Sequence, residues 1–192
     1  TEEAYRIFYA EGELSAVNAA PNTELEVSES LYAAFEQIRS TGDRSLYLGP
    51  VYEEYANLFL CEDDRSAALY DPSRNTELAA YLPELCAFVS DPESVELELL
   101  GNNRVRLKLS DAYLRFAGEN GVEPYLDFGW MKNAFIVDYI ADKMLESGYT
   151  LGYIASFDGF TRNLDDSGRS YSLNIFDRLE NAISKPAVME YT

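Results

Sequence analysis

Apolar positions recur at helical spacing in several places along the chain. Ser28 stands where an N-cap belongs; Leu31, Ala34, Phe35 and Ile38 follow at i, i+3, i+4 and i+7, and Ser40-Thr41-Gly42 ends the run. Gly49-Pro50 opens a second predicted helix with Val51, Tyr55, Leu58 and Phe59 on one face, proline costing nothing at a first helical position. Residues 131–147 carry Val137, Ile140, Ala141, Met144 and Leu145 at the same spacing, closed by Gly148. Residues 76–89 read as helix broken or restarted at Pro83, residues 110–116 as a short helix, and the polar residues 61–75 as a loop.

Alternation of period two is clearest over residues 95–109. Val95, Leu97 and Leu99 alternate with Glu96 and Glu98, and Val105, Leu107 and Leu109 with Arg106 and Lys108, around Gly101-Asn102-Asn103. This predicts a hairpin with one apolar face and one face of opposed charges. Residues 5–9 and 122–127 read as short strands, residues 18–24 as a polar stretch, and residues 149–155 and 171–176 as core strands around a polar turn. Hairpins mixed with helices, without regular βαβ alternation, give an α+β class: a mixed, mainly antiparallel sheet packed with helices in one domain over 1–192.

Composition narrows the chemistry. The 192 residues include 34 Asp plus Glu against 15 Lys plus Arg, a net charge of −19 that repels nucleic-acid backbones and anionic bilayers. Histidine is absent, which removes Ser-His and Cys-His nucleophile pairs, imidazole metal sites and a histidine pH switch. General acid–base work falls to Asp, Glu, Tyr or Lys. Cys61 and Cys86 have no metal-binding spacing and read as two buried free thiols, with one disulfide between them as the alternative. No apolar run is long enough to span a bilayer, and no targeting segment stands out; the compartment is left open.

Three stretches taken in order carry a resemblance. They are Glu13-Leu14-Ser15-Ala16-Val17-Asn18 with Val27-Ser28 and the following helix; Gly49-Pro50-Val51 running to Tyr55; and Asp127-Phe128-Gly129 running to Val137-Asp138. Together they resemble the S-x-L-S-x-x-N, G-P-L and D-L-G-G-I-A-K-G-Y-A-V-D segments of the FAD:protein FMN transferase (ApbE) family. In that family a pocket holds FAD, and magnesium assists transfer of FMN to a Ser or Thr hydroxyl of a target protein. The resemblance implies cofactor-binding roles for Asn18, Asp127, Gly129 and Asp158, with FAD as the ligand and a flavin nucleotide or a partner protein as the binding partner.

The chemical positions depart from the family pattern. Trp130 stands for the second glycine, Asn133 for the lysine and Ala134 for the next glycine; Ser156-Phe157-Asp158 stands at the G-G-D turn. The late histidine motif and the C-terminal Asp…Thr metal pair have no counterpart in the chain, which is shortened relative to the family at its C-terminus. The expectation is a degenerate, non-catalytic FMN-transferase-like domain that keeps flavin-nucleotide binding, with no catalytic residue and no magnesium site. Two alternatives stay open: an active magnesium-dependent transferase whose C-terminal motifs lie outside this chain, and an unrelated acidic interaction domain.

Overall fold

A computed structural model describes residues 2–9, 12–60, 63–157, 159–165, 167–179 and 182–191. The chain is α+β and divides into two compact units, residues 1–136 and 137–192. Among the described residues no helix is long and apolar enough to cross a membrane.

The first unit begins with two short helices, α1 (Glu2–Phe8) and α2 (Glu13–Ala19), then strand β1 (Glu24–Glu26) and helix α3 (Glu29–Thr41). Within the expected strand over residues 5–9, residues 5–8 are therefore helical, because Ala4, Ile7 and Phe8 are the buried positions, spaced for one helical face. Asn18 belongs to α2, not to a polar turn. For α3 the local signals act as expected: Ser28 Oγ accepts from the Leu31 N–H at 3.2 Å, and Gly42 closes the helix in the left-handed conformation. Leu31, Ala34, Phe35 and Ile38 are all buried.

A 3-10 turn (Ser45–Leu48) leads into α4 (Gly49–Phe59), with Pro50 in its first turn. The apolar face expected here is only partly buried: Val51 and Leu58 are half-buried, whereas Tyr55 and Phe59 are exposed. Helix α5 (Asp64–Tyr70) occupies residues expected as loop. Its start is set by Asp63, whose carboxylate accepts from the Ser66 N–H at 2.8 Å. Helix α6 (Thr76–Ser90) runs through Pro83 without a break. Pro83 lies on the exposed side, so the carbonyl it leaves unbonded can turn to water. Cys86 is a free thiol on that same helix, and exposed rather than buried; Cys61 lies outside the described residues.

Strands β2 (Val95–Gly101) and β3 (Arg104–Leu109) form the expected hairpin, with β1 added on the far edge of β3 to give an antiparallel sheet in the order β1-β3-β2. Val95, Leu97, Val105, Leu107 and Leu109 are buried. Opposite charges meet on the other face: Glu98 bridges Arg106 at 3.3 Å and Lys108 at 3.6 Å, and Glu24 bridges Arg104 at 2.6 Å. Such exposed pairs fix register more than they stabilise. Helix α7 (Asp111–Asn120) is capped by Ser110 and buries Tyr113, Phe116 and Ala117. Residues 122–127 make no strand: Pro124 lacks a ladder donor, and neighbouring polar groups come instead from Ala117, Asn18 and Leu46.

Arg44 ties the turn before α4 to the sheet. Its guanidinium donates to the Val89 and Val95 carbonyls at 3.2 and 3.0 Å, pairs with Glu96 at 3.0 Å and lies 4.3 Å over the Tyr47 ring. A lysine has one compact head and cannot make this fork. Arg44→Lys is expected to lower unfolding stability by about 1.5–3 kcal/mol in denaturant melts, although the charge is kept. An unchanged midpoint would show that the fork contributes nothing.

Helix α8 (Lys132–Glu146) begins in the first unit and continues into the second. The second unit adds two antiparallel hairpins, β4 (Tyr153–Ala155) with β5 (Thr161–Asn163), and β6 (Tyr171–Leu179) with β7 (Ala182–Tyr191). Arg162 on β5 reaches Asp138 at 3.1 Å and Asp142 at 2.6 Å, carboxylates one turn apart on α8. The stretch expected as a core strand over residues 149–155 is shorter and more exposed: only Tyr153–Ala155 is strand, and Tyr149, Leu151 and Tyr153 are exposed.

Candidate functional site

Helix α2 places Leu14 and Val17 in the core, which turns Asn18 toward the segment before Gly129. There the side-chain amide meets one residue twice: Asn18 Nδ2 donates to the Leu126 carbonyl at 2.9 Å, and Asn18 Oδ1 accepts from the Leu126 N–H at 2.8 Å. Leu126 is fully buried, so these two bonds satisfy main-chain groups that have left water. Asn18 therefore positions the main chain on which Asp127 sits.

Asp127 is held from two more sides. Its N–H donates to the Leu46 carbonyl at 2.9 Å, and its Oδ1 accepts from the Gly129 N–H at 2.8 Å. Gly49 packs directly against it: a Cβ at that position would lie 2.9 Å from Asp127 Cβ and 3.0 Å from the Pro124 carbonyl oxygen. Gly129 has a φ of 54°, a left-handed backbone that favours glycine, and it faces the Tyr52 ring. The stretches around Asn18, Gly49 and Asp127, far apart in sequence, thus meet at Leu126–Asp127.

Beside this junction lies a cleft of about 570 Å³ whose walls include Phe8, Tyr9, Ser15, Asn18 and Lys132. Its volume is in the range of small-molecule sites. Phe8 and Tyr9 supply aromatic wall, and Lys132 Nζ stands 4.7 Å from the centre of the Tyr9 ring, in cation–π range. Glu53, Glu123 and Asp127 also line it, so among the described lining residues three carboxylates face one cation. That balance suits a neutral or weakly charged ring better than a pyrophosphate.

Asn18, Asp127 and Gly129 fall at one junction, whereas Asp158 lies outside the described residues, as does the side chain of Trp130. Of the neighbouring described residues, Ser156 donates its N–H to the Phe160 carbonyl at 2.8 Å, and Phe157 is fully exposed. The sequence reading missed Phe8, Tyr9 and Glu123 as cleft residues. The helical spacing of Ala4, Ile7 and Phe8 was the available signal for the first two.

Among the described residues no three His, Cys, Asp or Glu side chains converge to hold a metal. A hard cation needs several oxygens at close range. A smaller cavity of about 150 Å³ runs along Phe35, Arg44, Tyr47 and Leu97; the Arg44 fork occupies its polar side. No protein-family model, curated protein or solved structure matches this chain.

Proposed function

We propose that the chain is a non-catalytic, FMN-transferase-like binding domain whose cleft takes the ring of a flavin. The observation that supports this most is the meeting of the three family-like stretches at Leu126–Asp127, on the wall of a cleft with aromatic sides. The reading gives Asn18 a positioning role, puts Asp127 in the cleft wall and has Gly129 hold the Asp127 carboxylate through its N–H. It assigns no transfer chemistry, because phosphoryl charge would need a cation and close backbone donors where the cleft carries carboxylates.

The test is a fluorescence titration of the full chain with riboflavin, FMN and FAD, repeated on Ala19→Trp. Ala19 is an exposed cleft residue at the end of α2, so a large side chain there fills the cleft without disturbing the core. Riboflavin is expected to bind one to one, FMN and FAD no more tightly, and the variant to bind about tenfold or more weakly, a change of about 1.4 kcal/mol or more. With FAD, magnesium and an acceptor peptide, no FMN mass addition is expected. Covalent flavin on the peptide, lost on adding a chelator, would instead establish the active transferase. Absence of any flavin binding would leave the acidic interaction domain.

A further inference from the structure

Helices α4 and α5 pack against each other, yet their outer side is apolar and open. Tyr55 is 64% exposed, Phe59 75%, Leu60 73% and Leu69 64%. Tyr55 and Phe59 lie one helical turn apart with rings stacked at 6.2 Å, so they form one ridge rather than scattered side chains. The loss of water-exposed aromatic area is the main reward in protein interfaces, whose centres are rich in Tyr and Phe. None of these four side chains lines the cleft described above.

The surroundings specify the occupant. Among the described side chains from residue 54 to residue 77, Glu54, Asp63, Asp71 and Glu77 stand against Arg65 and Arg74, in a chain whose net charge is −19. A second copy of this chain would bring a further net charge of −19 against the first. An anionic bilayer is repelled for the same reason. An apolar ridge on so acidic a chain complements an amphipathic helix whose apolar stripe is flanked by Lys and Arg. We infer that the α4–α5 face, centred on Tyr55 and Phe59, is a docking surface for a basic amphipathic helix of a partner protein.

The probe is a synthetic Leu/Lys amphipathic helix of about 18 residues, five turns, labelled for fluorescence anisotropy against the full chain. A Leu/Glu peptide of the same pattern serves as its charge control. The Leu/Lys peptide is expected to bind one to one, the Leu/Glu peptide not to bind, and Tyr55→Ser/Phe59→Ser to weaken binding about tenfold or more. Both changes are at exposed positions, and an unaltered thermal melt checks that the fold is kept. Amide exchange should slow in α4 and α5 when the peptide is bound. Equal binding to wild type and variant would reduce the effect to bulk charge and overturn the inference, as would no binding. Concentration-dependent dimerisation lost in the variant would assign the face to a second copy instead. Variant-sensitive binding to neutral phosphatidylcholine vesicles without peptide binding would assign it to a membrane.

Discussion

Phe128→Ala is expected to lower unfolding stability by about 3–5 kcal/mol, and the melting temperature by about 6–20 °C. Phe128 is fully buried at the meeting point of three other rings. Phe35 stacks on it at 5.6 Å, Phe8 meets it edge-on at 5.8 Å, and Phe135 is tilted against it at 5.1 Å. Truncation removes the transferred area and leaves a void lined by rings that α1, α3 and α8 hold apart, so collapse is only partial. A typical domain has about 5–15 kcal/mol in total, so the loss threatens the folded state itself. Phe59→Ala removes the same atoms from a side chain 75% exposed and is expected to change stability by less than about 0.5 kcal/mol. Denaturant melts of the two variants decide the matter: comparable losses would mean that Phe128 is not at the centre of the core.

This aromatic cluster shows where sequence patterning succeeds and where it stops. α3 and the β2–β3 hairpin are legible because their determinants are local: a serine cap, a left-handed glycine, apolar residues at one fixed spacing and turn residues that tolerate positive φ. α1 was misread because Tyr5, Ile7 and Tyr9 also fit a period of two. Ring preference for strands points one way, and tertiary burial of Ile7 and Phe8 decides the other. α5 was hidden in a polar stretch because its start depends on one capping carboxylate, Asp63, rather than on an apolar stripe. The exposure of Tyr55 and Phe59 was invisible for a different reason. Helical periodicity reports which side chains share a face and says nothing of whether another element covers it.

The junction at Leu126–Asp127 was legible only as residue types. Asn18, Gly49 and Asp127 could each be singled out from motif order, yet their roles come from contacts between elements. An asparagine that satisfies the two main-chain groups of a distant residue has the same sequence signature as one in a surface turn. Likewise the need for glycine at position 49 is set by how closely Asp127 and Pro124 approach it. The carboxylate balance of the cleft depends on Glu53 and Glu123, which no motif marks.

Between about pH 10 and pH 12 the protein is expected to unfold as its tyrosines ionise. Four of them are held above the ordinary phenol value, each chiefly because burial disfavours the phenolate: Tyr47, Tyr81, Tyr113 and Tyr125. Tyr81 is pushed up to about 12, with the neighbouring Glu54 carboxylate adding to the burial effect. Tyr113 is the most deeply buried; its ring stacks on Phe88 at 5.0 Å and meets Tyr125 edge-on at 5.6 Å, and its hydroxyl is buried without a hydrogen-bond partner. A raised value in the folded state means that the folded protein keeps protons which the unfolded chain releases near pH 10. The stabilisation is complete below the unfolded value and is lost as pH rises through the folded ones. Phenolate absorbance and near-ultraviolet dichroism should therefore change together in one steep step. Tyr113→Phe separates this from the general effect of a growing negative charge. It removes an unpartnered buried hydroxyl, so it should raise stability at neutral pH by about 1 kcal/mol and move the alkaline step to higher pH. Phenolate absorbance that rises gradually at the ordinary tyrosine value, with the dichroism unchanged, would show these side chains to be in contact with water.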